Sequence, residues 1–285
     1  MKAVRSVTEL RAELAPERRG GRSIGLVPTM GYFHEGHLSL MRRAREDCDV
    51  VVVSLFVNPA QFGPGEDLEA YPRDEARDVQ LAEAEGLDLL FVPPRDEVYP
   101  EDFDTTVSVG GLTGVLEGDP GQRGHEHFDG VATVVVKLFN MVQPDVAYFG
   151  QKDGQQALVI RKLVRDLDIP VRIEVCPTIR DPDGLALSSR NVYLSEAERE
   201  RALAIRRALL AAEERVALGE RDAAAVLAAA RAELDDAGIE PEYLELRSAT
   251  DLGPIERLNG SSLLAVAARV GRARLIDNTI LGDEK

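Results

Sequence analysis

Cysteine is scarce, positive charge is in short supply, and no long hydrophobic run occurs. The two cysteines, Cys48 and Cys176, stand far apart beside apolar runs. That excludes a disulfide framework and any cysteine-based metal knuckle, and leaves two buried thiols in a reducing compartment. Lysine and arginine total 34 against 50 acidic residues, a formal net charge of -16. A surface so acidic repels phosphate backbones, so binding DNA or RNA is excluded as a main task, although a local basic pocket for a nucleotide is not. No segment approaches the roughly 20 apolar residues of a membrane span, and the first residues lack the apolar core of a signal peptide. The expected location is therefore the cytoplasm. Internal repeats and low-complexity tracts are also missing, apart from one alanine-rich stretch.

What is present suits a packed enzyme. The chain has 285 residues and is 44% hydrophobic, enough for one large α/β domain or two unequal ones. Strand-like and helix-like patterns alternate through the first half. Strands are expected at 23–27, 50–57, 87–92, 145–149 and 171–175, with Pro28 ending the first. Helices are expected at 37–46, 72–85, 131–142 and 154–167. The run 50–57 (VVVVSLFV) reads as a strand covered on both faces. This order implies a parallel sheet with crossover helices. Beyond about residue 184 the pattern changes to two helices, 195–218 with a Ser195/Glu198 capping box and 221–237, followed by three strands at 242–247, 262–270 and 274–280. The expected division is a larger α/β unit over 1–184 and a smaller α+β unit over 185–285.

Three segments carry chemistry. The first is Pro-Thr-Met-Gly-Tyr-Phe-His-Glu-Gly-His at 28–37, where the first core strand turns into a helix. Such junctions bind ligands in open α/β sheets, and the free N–H groups of a helix start attract phosphate. His34 and His37 can face one way and donate to phosphate oxygens; a metal half-site or a solvated helix start are the alternatives. The second is Leu187-Ser188-Ser189-Arg190, two hydroxyls and a guanidinium apt for a triphosphate. The third is Gly150-Gln151-Lys152-Asp153, where Lys152 can bind phosphate and Asp153 can hold ribose, hold Mg²⁺ or cap the next helix. Gln61, at the end of the most hydrophobic strand, is a neutral donor for a carboxylate or hydroxyl. The glycine-rich stretch 118–130, with Arg123, His125 and His127, reads either as a loop that closes over an intermediate or as an ordinary connection.

Together these segments resemble the pantothenate synthetase family of the nucleotidylyltransferase superfamily. The matching text is PTMGYFHEGH, NPAQFG, YPRD, HFDGVATVV, QPDVAYFGQKDGQQ and DGLALSSRNVYL, in order across residues 28–194. The resemblance implies a Rossmann-like parallel sheet carrying the H-x-G-H nucleotide site, a smaller C-terminal α+β domain, and a homodimer. It implies a ligase that uses ATP and Mg²⁺ to activate pantoate as an adenylate, then joins it to β-alanine. It assigns ATP contacts to Met30, Gly31, Tyr32, Phe33, His34, Glu35, Gly36, His37, Gly150, Gln151, Lys152, Asp153, Ile179, Leu187, Ser188, Ser189 and Arg190. Within that set His37, His34, Lys152 and Arg190 would be catalytic. Gln61 and Gln156 would hold pantoate, Gln61 also lying near β-alanine, and Asp78 is a candidate metal-side carboxylate. The sequence departs from the family pattern at Gln151 (usually Glu), at Gly154 (usually aromatic) and in the Arg123–His127 segment, one residue longer than usual. Rivals are an adenylyltransferase that stops at nucleotide transfer and a non-catalytic nucleotide-binding scaffold; a tRNA ligase is disfavoured by the short, acidic chain.

Overall fold

The computed structural model describes residues 1–63 and 68–282. In chain order its elements are β1 (Lys2–Val4), α1 (Val7–Arg19), β2 (Ile24–Thr29), α2 (Glu35–Asp47), β3 (Val50–Leu55), α3 (Glu75–Ala84), β4 (Leu89–Phe91), α4 (Arg95–Val98), α5 (His125–Val142), β5 (Val146–Gly150), α6 (Gly154–Asp166) and β6 (Arg172–Cys176). After these come α7 (Glu196–Ala217), α8 (Ala223–Asp236), β7 (Pro241–Ser248), β8 (Ser262–Val270) and β9 (Ala273–Leu281). The last three residues of the expected C-terminal unit, 283–285, lie outside the described residues.

Six strands form a parallel sheet in the order β1-β4-β3-β2-β5-β6. Period-two alternation divides its side chains between two cores, which is why β3 is valine at four successive positions. Val50 and Val52 face one cluster with Leu26, Phe91, Leu138 and Ile160; Val51 and Val53 face the other with Met41, Ala44, Ala82 and Tyr148. β7, β8 and β9 form a separate antiparallel sheet. This sheet too is covered on both faces. Leu264, Val266 and Ala268 of β8 pack with α7 and α8, while Leu263 and Ala265 pack with Phe128, Val159 and Leu163 of α5 and α6. The second contact seats the small sheet against the large one.

Three expectations need correction. β1 and α1 lie ahead of the first expected strand; α1 starts on a Ser6/Glu9 capping box. Pro28 does not end β2, which runs on to Thr29 with Pro28 opposite Ser54. The carbonyls of Ser23 and Thr29 accept from β3, whereas that of Ile24 accepts from Asp145, so even-numbered residues of β2 turn their polar groups toward β5. Pairing with β5 stops at Leu26, and the missing proline N–H falls where no partner strand remains. The third correction is to 118–130, expected as a loop: α5 begins at His125 and contains Gly130. That glycine marks close packing. A Cβ there would come within 2.0 Å of the Ala60 carbonyl oxygen, and Asn58 Nδ2 donates to the Gly130 carbonyl at 3.0 Å.

Gly130→Ala should therefore wedge α5 away from the 58–61 turn and lower stability by ~1–3 kcal/mol, the usual cost of overpacking. Urea denaturation measures it; an unchanged midpoint would mean that the helix and the turn are not held in contact.

Candidate active site

The sheet order reverses beside β2. From β2 the chain steps outward to β3 and β4, and the later β5 returns to the opposite side. Open α/β sheets bind ligands at such a switch point, outside the carboxyl ends of the strands. A cleft of about 270 Å³ lies there, bounded by Pro28, Thr29 and Met30 after β2 and by Phe149 and Gly150 of β5. The small sheet closes it through Tyr243, Leu263, Ile276 and Asn278.

The first wall is built on a buried carboxylate. Gly31 and Tyr32 adopt left-handed backbone, φ 86° and 54°. Gly31 suits its place because a Cβ would lie 3.0 Å from Asp78 Oδ2. The turn aims the N–H groups of Tyr32 and Phe33 at the two Asp78 oxygens, 2.7 Å each. Asp78 is 1% exposed; burial raises its pKa and the two N–H donors work against that rise. It lies beneath the turn, away from the cleft lining, which corrects its expected place as a metal-side carboxylate. Among the described residues no group of three or more His, Cys, Asp or Glu is arranged to hold a metal ion.

His34 is the N-cap of α2. Its Nδ1 accepts from the Gly36 N–H at 3.2 Å, and Nδ1 of His37 accepts from the His34 N–H at 3.3 Å. The amides at the helix start are thus partly taken up by the histidines themselves. The donors offered to the cleft are imidazoles rather than the free helix amides expected from sequence. Burial, with Lys152 nearby, lowers the His34 pKa to about 4; burial and His34 lower that of His37 to about 3. Both rings are then neutral at pH 7. With each Nδ1 accepting, the proton sits on Nε2, so each ring is a neutral N–H donor.

Opposite stand the 150–156 turn and the 177–190 segment. Gly150, Lys152, Asp153 and Gln156 line the cleft, as do Ile179, Leu187, Ser188, Ser189 and Arg190. Asp153 makes no side-chain cap on α6, which removes capping from its expected roles and leaves its carboxylate to the cleft. Ser188 instead caps the turn that follows it, accepting from the Arg190 N–H. Gln155 also lines the cleft, but its amide is engaged: it accepts from the Glu117 N–H and donates to the carbonyls of Leu112 and Val115, fastening the 112–117 segment.

Gln61 lines the floor of the cleft. His127 Nδ1 lies 2.8 Å from the Gln61 carbonyl, and Arg123 Nη1 lies 3.2 Å from His127 Nε2. A guanidinium only donates, so Nε2 accepts and Nδ1–H donates to Gln61. Both Arg123 and His127 line the cleft and fix the backbone that presents Gln61. Asn58, 1% exposed, completes the support by donating to Gly130 and accepting from the Tyr99 hydroxyl at 2.9 Å.

Of the expected site residues, Gly31, Tyr32, Phe33, Glu35 and Gln151 do not line the cleft. The first three shape the turn, Phe33 with no exposed surface at all. Glu35 pairs with Arg42 at 2.7 Å, and Gln151 turns toward β9. Sequence reasoning missed Thr178, which lines the cleft and whose buried hydroxyl has no partner among the described residues. It also missed Asn278, 127 residues from Gln151 in the chain. The polar run Asp277-Asn278-Thr279 between the apolar residues Leu275-Ile276 and Ile280-Leu281 was the signal available for Asn278.

Residues 2–280 match the family model described as pantoate-beta-alanine ligase. A pantothenate synthetase from Pelotomaculum thermopropionicum is 51% identical over 283 residues, covering 97% of this chain and 98% of the relative. Pantothenate synthetase 1 of Bradyrhizobium diazoefficiens is 53% identical over 284 residues, covering 99% and 98%. The crystal structure of pantothenate synthetase from Thermus thermophilus superposes with a TM-score of 0.92 at 48% identity, covering 98% of this chain and 99% of that one. Pantoate-beta-alanine ligase from Francisella tularensis, complexed with beta-gamma ATP and beta-alanine, superposes with a TM-score of 0.81 at 32% identity, covering 98% and 97%.

The histidine pair has a pH signature. Unfolded imidazoles take up protons below about pH 6.5, while these rings resist until about 4 and 3, so the pair withdraws stability as pH falls from 6.5 toward 4. Nitrogen NMR on the ligand-free protein should show both rings as neutral Nε2–H tautomers at pH 7 and still unprotonated at pH 5. Protonation of either ring at pH 6 would contradict the burial argument.

Proposed function

The chain belongs to the pantoate–β-alanine ligase family, and from that premise we propose that it condenses pantoate with β-alanine through a pantoyl adenylate, consuming ATP and releasing pyrophosphate and AMP. The observation that carries this reading is the convergence on one cleft of two neutral imidazole donors, Lys152, the Ser188–Arg190 turn and two glutamines, Gln61 and Gln156.

The chemistry asks little of a base. Pantoate's carboxylate is already a nucleophile at neutral pH, so its oxygen attacks the α-phosphorus and the bond to pyrophosphate breaks. Positioning and stabilisation of charge at phosphorus are the requirements. The Nε2–H groups of His34 and His37 donate to phosphate oxygens, with His37 closest in role to a proton donor. Neutral donors serve here without holding the pyrophosphate so firmly that it fails to leave. Lys152 and Arg190 carry the compensating positive charge, while Ser188, Ser189 and Thr178 offer hydroxyls. Met30, Gly36, Gly150, Ile179 and Leu187 line the nucleotide's path. Gln61 and Gln156 hold pantoate by neutral hydrogen bonds, which leaves its carboxylate unneutralised and reactive. In the second step the β-alanine amine attacks the activated carbonyl, the bond to AMP breaks, and the amine loses a proton.

Mg²⁺ neutralises phosphate charge when bound. Such an ion is commonly held by few carboxylates and the substrate's own phosphates, a pattern that Asp153 at the cleft fits and Asp78 does not. The same proposal includes a homodimer in the cytoplasm and a division into units 1–184 and 185–285. Among the described residues no helix is long and apolar enough to cross a membrane.

The test is AMP release from ATP and Mg²⁺ with D-pantoate, with and without β-alanine. Steady AMP only when both substrates are present is expected. Pyrophosphate release without amine-dependent AMP would replace the ligase with an adenylyltransferase, and tight ATP binding without pyrophosphate exchange would favour a scaffold. His37→Ala and Lys152→Ala should each slow adenylate formation ~10²-fold or more, the usual size for losing a preorganised charge stabiliser. Near-normal turnover in either variant removes that residue from the mechanism.

A further inference from the structure

The two departures from the family pattern beside Lys152 meet a third residue. Gln151 Nε2 donates to Asn278 Oδ1 at 2.8 Å, and Asn278 Nδ2 donates to the carbonyls of Gln151 at 2.9 Å and Lys152 at 2.8 Å. Asn278 is 6% exposed. Its amide therefore closes a reciprocal ring with residue 151 and also grips the peptide that carries Lys152. Gly154 belongs to the same arrangement. A Cβ at 154 would lie 3.1 Å from both Asn278 Oδ1 and Gln151 Nε2, tight enough to push the amide pair aside. The donor and acceptor pattern also accounts for glutamine at 151. A glutamate there would face Asn278 Oδ1 with a second acceptor, and flipping the asparagine to suit it would sacrifice both bonds to the carbonyls.

The adjacent residue of β9 acts on the cleft's other segment. Asp277, 4% exposed, pairs with Arg180 in two contacts of 2.6 and 3.0 Å, and its Oδ1 also accepts from the Asn278 N–H. Arg180 directly follows Ile179 of the cleft wall. Two successive residues of one strand in the small sheet thus hold both segments that face the histidines.

We propose that Asn278 is a positioning residue for Lys152: from β9 it fixes the 151–152 turn so that the ammonium is presented to the phosphates, and Gln151 with Gly154 is the local sequence that lets it do so. The proposal rests on the ATP-activating reading of the cleft. It concerns alignment, so misplacement by around an ångström is the expected lesion, on the order of 10–100-fold in rate.

The experiment is a double-mutant cycle in pantoate-dependent ATP–pyrophosphate exchange, using the full chain with Mg²⁺. Asn278→Asp keeps an acceptor for Gln151 and loses both donations to the carbonyls; it should slow exchange about 10–100-fold, with the KM for pantoate unchanged. In the Lys152→Ala background the same substitution should add little, because the residue it positions has gone. A purely structural role predicts instead losses that multiply in the double variant. Exchange of wild-type rate in Asn278→Asp, or fully multiplicative losses, overturns the proposal. Should Asn278→Asp fail to fold, Gln151→Leu runs through the same cycle with the same criteria. Absence of exchange in the wild-type protein would instead strike the reading of the cleft itself, so the two failures are separable.

Discussion

Two N–H groups, from Tyr32 and Phe33, converge on the buried carboxylate of Asp78, and the first wall of the cleft takes its shape from that meeting. Without an anion beneath it, a left-handed pair such as Gly31-Tyr32 leaves its amides pointing into an apolar core, an expensive arrangement. With Asp78 in place the turn is satisfied from below. The chain then enters α2 with His34 at its cap and His37 one turn on. The imidazoles are oriented by backbone bonds to Nδ1, so the tautomer is set by the fold before any ligand arrives. A carboxylate brought from α3 thus holds the turn that leads into the histidine pair.

The second wall depends on the antiparallel sheet. Its central strand β8 is apolar on both faces, one face packing on α7 and α8 and the other on α5 and α6. That two-sided burial fixes the sheet against the cleft. Polar side chains at 277 and 278 then bond directly to the segments that carry Arg180 and Lys152. The buried Glu117 makes a comparable tie. Burial alone would raise its pKa, but the paired Arg274 outweighs this and the net shift is downward. The 112–117 segment is thereby held to β9 as well as to Gln155.

Much of this was legible in the sequence because local rules were obeyed. The valine run of β3 and the Ser195/Glu198 capping box signalled their elements directly. The motifs that line the cleft fall at strand ends, as α/β topology requires. Apart from β1 and α1, whose Ser6/Glu9 capping box was a local signal passed over, what failed depends on partners distant in the chain. Gly130 resembled loop glycine until the Ala60 carbonyl appeared against it. Pro28 resembled a strand stop until the pairing of β2 with β5 was seen to stop two residues earlier, at Leu26. Asp78 resembled a ligand for a cation, since nothing local reveals that the left-handed turn 45 residues before it supplies its hydrogen bonds. Gln151 and Gly154, read from sequence, were only departures from the family pattern; with Asn278 they form one packed unit.

That unit has a bearing on inheritance. Glutamine at 151, glycine at 154 and the rotamer of asparagine at 278 occupy one shared volume, so selection acts on the trio and not on its members. A lineage drifting toward glutamate at 151 or a bulky residue at 154 must pass through a chain in which the asparagine amide has lost its fit, unless position 278 or its surroundings shift as well. Co-variation of these three positions is thus a record that the ligase family should carry in its own diversity, written by the geometry of a single side-chain amide.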